Sequence, residues 1–249
     1  MYVLPYGQMS LWGLYLKPQM CNFCLVFLFL LISPLSEITA KVIRLKGIYR
    51  IGPHNKDVLS IIFGSLLGDA HGEKRLKGLG TRFSFYQEDF HVEYLLHLHK
   101  HMSECGYCNT KIPVITTRLG NKGKLRKIIR FSTWTYTSFN WIYDIWYKDG
   151  IKHVPDCIGE YLTPLALAIW IMDDGSKVGQ GLKLCTNSFT YDDCLKLILV
   201  LNYNFKIKAS IQSSGSKDRY TIYIWKESMD NLRNIVSPYI IPGMKYKII

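Results

Sequence analysis

Acidic residues are scarce in this sequence, and two long stretches have none at all. None occurs from Cys105 to Tyr143, where Lys111, Arg118, Lys122, Lys124, Arg126, Lys127 and Arg130 all fall. None occurs from Cys194 to Lys217, which holds Lys196, Lys206, Lys208 and Lys217. The whole chain carries 31 Lys plus Arg against 19 Asp plus Glu, a formal charge of +12. Fields of one sign suit a polyanionic partner, and nucleic acid is the commonest. No apolar run approaches the roughly 20 residues that cross a bilayer; the most extended, Cys24–Ile32, stops at Ser33-Pro34. A disulfide framework is also lacking. The 7 cysteines are odd in number and irregularly spaced, which points to a reducing compartment. The pairs Cys21/Cys24 and Cys105/Cys108 lie too far apart for one zinc ribbon. His97, His101, Cys105 and Cys108 have zinc-ligand chemistry at helical spacing, and we read them as a polar helix face ending in a turn at Gly106.

From Asp57 onward the chain reads as two copies of one plan, joined near Lys148 to Glu160. In the first, an apolar helix over 57–68 ends in Gly68-Asp69-Ala70. A strand follows at Arg82–Tyr86, with Phe83 and Phe85 on one face and Arg82, Ser84 and Tyr86 on the other. A helix capped by Asp89 comes next, then strands near 112–118 and 126–134 and an aromatic helix near 136–147. In the second copy, an apolar helix over 163–173 ends in Asp173-Asp174-Gly175. A strand over 182–187 presents Lys183, Cys185 and Asn187 on one face. A helix over 190–203 opens with Thr190 and Asp193 in a capping box. Strand 206–212 alternates Lys206, Lys208, Ser210 and Gln212 against Ile207, Ala209 and Ile211. Its partner is 220–225, and a helix over 227–236 closes the copy. Sheets with one apolar and one basic face need helices on the apolar side, which leaves the polar face for a nucleic acid groove.

The ends of the two apolar helices carry the chemistry. Residues 62–70 read IFGSLLGDA and residues 167–175 read LAIWIMDDG, which puts Asp69 and Asp174 105 residues apart. Gly64 and Gly68 are spaced so that the two helices can approach closely, with Ala168 and Met172 expected opposite them. Asp69 and Asp174 would then meet at adjacent helix C-termini, where they repel each other and the helix dipoles. Divalent cations relieve that repulsion, and Mg²⁺ suits an oxygen-donor site.

Both segments resemble the LAGLIDADG motif, and residues 57–249 resemble the LAGLIDADG homing endonucleases. The likeness is strongest to the monomeric, two-motif, omega-type branch, on EYLTPLALAIWIMDDGSK (160–177) and PYIIPGMKYKI (238–248). Ser65 and Leu67 depart from the motif at helix-interior positions. The resemblance implies an α+β fold of two pseudo-symmetric αββαββα-type halves. Their antiparallel sheets form a DNA-binding saddle, and the LAGLIDADG helices pack at the interface. Expected boundaries are an apolar leader at 1–45 and halves at 46–150 and 151–249.

The implied activity is metal-dependent double-strand cleavage of DNA at a long asymmetric site by a monomer with no stable membrane role. Mg²⁺ would be the cofactor, with Mn²⁺ as a substitute, held by Asp69 and Asp174 with Gly68 and Asp173 beside them. Lys152 and Lys247 (with Lys245 as a rival) and Gln87 would assist catalysis. The expected DNA contacts are Arg82, Ser84, Lys111, Arg118, Lys122, Lys124, Arg126, Arg130, Lys183, Asn187, Lys206, Lys208 and Gln212. The opening string YVLPYGQMSLWG resembles a segment of cytochrome b. That implies an intron reading frame continuing from an exon, a mitochondrial matrix location, and the alternative of a maturase acting on its own intron RNA.

Overall fold

The structure is a computed structural model that describes residues 45–249 apart from 76–78 and 121–122. The expected leader, with Cys21 and Cys24, and Lys122 therefore lie outside the described residues, as does the side chain of Asp89. Residues Leu45–Ile249 form one compact unit. The elements are α1 (Lys56–Leu67), β1 (His71–Arg75), β2 (Gly80–Glu88), α2 (Val92–Glu104), β3 (Thr116–Leu119), β4 (Leu125–Ser132) and α3 (Asn140–Trp146). After the short hairpin β5 (Tyr147–Lys148) and β6 (Ile151–Lys152) come α4 (Ile158–Tyr161), α5 (Pro164–Asp174), β7 (Gly175–Val178), β8 (Gly181–Cys185) and α6 (Tyr191–Phe205). The chain closes with β9 (Ala209–Ser213), β10 (Tyr220–Ile224), α7 (Met229–Val236) and a 3-10 turn, Pro242–Lys247.

Both four-stranded sheets are antiparallel and share one order, β1-β2-β4-β3 and β7-β8-β10-β9. This is the mixed α and β architecture with antiparallel sheets that the sequence implied. Two strands had not been legible from periodicity. β1 (HGEKR) and β7 (GSKV) have no apolar alternation, and tight pairing to their neighbours makes them strands.

The helix ends follow from local chemistry. Asn55 caps α1 by accepting the Asp57 N–H at 2.7 Å. Thr163 caps α5, with Pro164 in the first turn where its missing N–H is harmless. The capping box of Thr190 and Asp193 is present on α6. At α2 the chain enters through a 3-10 turn, and the N-cap position is His91, which makes no side-chain cap bond.

α1 and α5 are apolar on all sides and sit in the middle of the core, buried from Ser60 to Leu67 and from Ala166 to Met172. They run parallel. Ser60 and Thr163 share a hydroxyl hydrogen bond of 2.8 Å near their N-termini, and Gly68 touches Asp173 at the other end. One apolar cluster runs from Val58 through both helices to Ile248, packing the inner faces of both sheets against it.

The register between the helices differs from the expectation. Gly64 lies against Ala166 and Ile169, and Gly68 against Asp173. Ala168 and Met172 are buried but do not face the glycines. Equivalent motif positions oppose each other across the seam, so its small residues are Gly64, Gly68 and Ala166.

Strand boundaries also shift in the second half. Lys206 is not in a strand. It holds the left-handed position that ends α6 (φ 56°), and its N–H goes to Asn202 O and Leu201 O. Its ammonium turns back to Tyr203 O at 3.3 Å. Asn187 lies in the turn after β8 rather than in the strand.

Candidate active site

The parallel seam brings the two motif ends together. Asp69 follows α1 and Asp174 is the last residue of α5. Asp173 occupies the motif position that Gly68 holds in the first copy. A Cβ on Gly68 would fall 2.5 Å from the Asp173 Cβ and 2.7 Å from its Oδ2. The missing side chain of Gly68 is therefore the space that the Asp173 carboxyl fills. That carboxyl accepts from Gln87 Nε2 at 3.2 Å and from the Asp69 N–H at 3.4 Å. The fully buried Tyr94 hydroxyl comes up beside it from α2 and donates to Ile169 O at 3.4 Å.

Gln87, on the inward face of β2, also donates to Asp69 Oδ2 at 2.7 Å. Its carbonyl meets His91 Nδ1 at 3.2 Å, and His91 Nε2 lies 3.3 Å from the Tyr246 hydroxyl. The second copy has no such arm. Strand register puts Thr186 at the position of Gln87, and its hydroxyl turns inward to donate to Tyr220 O at 2.8 Å. Among the described residues no side-chain hydrogen bond reaches Asp174.

Each helix end carries one lysine. The β5–β6 hairpin turns at Asp149-Gly150, both at positive φ (50° and 77°), as a two-residue hairpin loop requires. That turn delivers Lys152 to the end of α1, where Nζ donates to Leu66 O (2.9 Å), Gly68 O (3.3 Å) and Ala70 O (3.0 Å). The terminal 3-10 turn opens on Pro242 and delivers Lys247 to the end of α5. There its Nζ donates to Met172 O and, at 3.1 Å, to Asp173 O. Both ammonium groups answer the negative dipole end of a helix. Lys247 is buried, whereas its rival Lys245 is exposed.

The electrostatics are those of crowded carboxylates. Burial, then the charge of Asp69, pushes Asp174 up to about 7, against the pull of Lys152 and Lys247. The same two causes raise Asp173 well above the usual carboxylate range. Burial lowers both lysines below the ordinary ammonium value.

Oxygen donors dominate the site, namely Asp69, Asp174 and the Gly68 and Asp173 carbonyls. This donor set fits a hard divalent cation. Among the described residues no three His, Cys, Asp or Glu side chains converge as a ready-made cage. A cation here would therefore rest on two carboxylates and leave its other positions to carbonyls, water and phosphate. The His97, His101, Cys105 and Cys108 set does not assemble either, and the Cys108 thiol donates to His99 O at 3.8 Å.

The expected DNA contacts divide into groups. Arg82, Ser84, Arg118, Arg126 and Arg130 lie on one face of the first sheet, opposite the buried Phe83, Phe85 and Phe131. Lys124 is exposed beside them in the β3–β4 turn. Lys183 and Gln212 lie on the matching face of the second sheet, and exposed Lys208 precedes β9. Lys111 sits in the loop after α2 and Lys206 at a helix end, both off the sheets. Residues that sequence reasoning missed are Tyr94 and His91. His91 follows Gln87 by four residues and was visible in principle, but nothing in the sequence pointed to Tyr94.

Comparison with known proteins places this geometry. The sequence profile of the LAGLIDADG DNA endonuclease family matches residues 59–232. The chain belongs to that family. It is 54% identical over 206 residues to the cytochrome b mRNA maturase bI2 of Saccharomyces cerevisiae, covering 80% of this chain and 48% of that protein. It is 51% identical to the protein of the same name from Debaryomyces hansenii, covering 79% of this chain and 75% of that one. The chain thus spans about half the length of the first relative. Among solved structures, the homing endonuclease I-WcaI bound to its DNA recognition sequence superposes with a TM-score of 0.69 at 25% identity, covering 78% of this chain and 87% of that one. The LAGLIDADG resemblance drawn from residues 62–70 and 167–175 is thereby borne out.

Proposed function

We propose that this LAGLIDADG protein is a monomeric, site-specific DNA endonuclease that cuts both strands of a long asymmetric site and acts in the mitochondrial matrix. The observation that carries this reading is the parallel α1/α5 seam, which brings the ends carrying Asp69 and Asp174 together, with a lysine anchored on the carbonyls of each helix end. Asp69 and Asp174, with the Gly68 and Asp173 carbonyls nearby, would hold a divalent cation, Mg²⁺ for preference and Mn²⁺ as a substitute. When bound, the cation neutralises phosphate charge and favours attack by water.

The chain's own residues do the rest. Gln87 fixes the orientation of Asp69. Lys152 and Lys247, held by helix carbonyls and lowered in pKa by burial, sit where they can orient a water and pass a proton. The basic faces of the two sheets hold the duplex through phosphate and base-edge contacts.

The test is cleavage of plasmid carrying the intronless cytochrome b exon junction. With Mg²⁺ the protein linearises it and leaves intron-containing DNA intact, and D69N or D174N binds in Ca²⁺ without cutting. Full cutting by either variant would sink the metal assignment. A second reading is favoured by the names of the two relatives above: a maturase that binds its own intron RNA on the same scaffold. Splicing assistance without cleavage of the junction would establish it.

A further inference from the structure

The polar face of the first sheet contains a groove of about 460 Å³. In it an arginine is already committed along one edge. Arg82 on β2 and Glu73 on β1 are register partners. Arg82 Nε and Nη2 both donate to Glu73 Oε2, at 2.9 and 2.6 Å. The other oxygen of Glu73 is steadied by Ser84 Oγ at 3.4 Å and His71 Nε2 at 3.5 Å. The guanidinium has five N–H donors in a planar fork, so this pairing leaves the Nη1/Nη2 end without a partner among the described residues and fixes its direction.

The arrangement is local to the first half. The corresponding register pair in the second sheet is Val178 and Gly181. The other acid on this face, Glu88, meets Arg126 through one contact of 3.4 Å on a more exposed side chain.

We infer that Arg82 reads a guanine in the major groove and that Glu73 is the positioning residue that makes it do so. The argument turns on what a phosphate would meet here. A carboxylate in contact with the guanidinium repels a phosphate and lowers the value of a simple backbone contact. A guanine edge presents O6 and N7 as a matched pair of acceptors with no formal charge, and the free end of a fixed fork fits it bidentately. Immobilising the side chain beforehand also reduces the ordering that binding must impose. Because the second half lacks the pair, this base requirement falls on one half-site only, in keeping with an asymmetric target.

The inference rests on the DNA-cleaving reading of the protein. Its test is binding of the full chain, in Ca²⁺, to a duplex spanning the intronless junction and to all its single-base variants. Wild-type protein should reject substitution at one G·C pair in the first half-site on the order of tenfold. R82A should abolish that preference at that pair alone, and R82K should not restore it. E73A should weaken the same preference to a few-fold while affinity for the other duplexes holds or rises, with the near-isosteric E73Q between. Thermal unfolding of each variant confirms that the fold is kept.

A uniform loss of affinity in R82A, with a salt dependence shallower by about one ion, would identify a phosphate contact and overturn the inference. An unchanged base profile in E73A would remove Glu73 from the mechanism. If wild-type protein cuts the junction and these variants keep its profile, only this inference fails. If wild type neither cuts nor discriminates, the endonuclease reading fails with it.

Discussion

Gly68 and Asp173 stand at the same motif position in their two helices, and the seam has room for a side chain on only one of them. The carboxyl of Asp173 occupies the place a Gly68 Cβ would need, 2.5 Å from the Asp173 Cβ. The seam is therefore asymmetric at its centre although the copies around it match.

Adding a methyl at this point should be destabilising through overpacking. G68A is expected to lose about 1–3 kcal/mol in denaturant unfolding, and most of that loss should return in the double variant G68A/D173G. If the two changes simply add, the steric account of this pair is wrong.

Removal of the helix-end lysines separates chemistry from binding. K152M and K247M keep most of the aliphatic packing but leave the α1 or α5 carbonyls without their ammonium donor. Each should lower cleavage by on the order of 100-fold or more, while binding to the duplex in Ca²⁺ changes little. Single-turnover cleavage and gel-shift titration on the same preparations check this. Retained cutting by both variants would reduce the lysines to structural caps.

Asp174, as a proposed metal ligand, should make stability depend on pH and on divalent metal together. Its carboxyl rises from an ordinary 3.8 to about 7 in the fold. Between those values the folded state keeps a proton that the unfolded chain has lost. Stability without metal should therefore fall as pH climbs from about 4 to 7, by on the order of a few kcal/mol. Ca²⁺ should restore more stability at pH 8 than at pH 5, because it competes with that proton. D174N should flatten much of the slope and most of the Ca²⁺ gain. Calorimetry at three pH values with and without Ca²⁺ decides it, and a slope of the opposite sign would refute the argument.

Lys206 offers a contrast with the sheet residues. Its backbone is left-handed, which is strained for any residue with a Cβ. K206G should raise stability by roughly 0.5–1 kcal/mol and leave DNA affinity near wild type. R118A, on the sheet face, should weaken binding and reduce its salt dependence. Equal losses of affinity in the two variants would return Lys206 to the interface.

What the sequence disclosed divides along physical lines. The apolar helices, the capping box at Thr190 and Asp193, and the doubled acidic ends were legible because each depends on neighbours along the chain. β1 was not, because HGEKR is polar on both faces and becomes a strand only when β2 pairs with it. Lys206 falls into a strand by pattern alone, because alternation from Lys206 to Gln212 is indistinguishable from a strand until the end of α6 is located. The facing of Gly64 and Gly68 was misplaced by one residue, since one helix's pattern says nothing of how the other is rotated. Gln87 came from family resemblance alone, and the Asp173 carboxylate's hold on Asp69 needed three dimensions.

The seam also bears on how such a chain can change over generations. A side chain gained at position 68 costs stability unless position 173 yields, so changes at the two positions are coupled. On the outer face of the sheets, Arg82 and Glu73 in one half and Val178 and Gly181 in the other already differ without disturbing the seam. The two copies are bound to each other at the helices and independent at the sheets. On the proposed endonuclease reading, such a lineage would move to a new target one half-site at a time while the helix seam stays as it is.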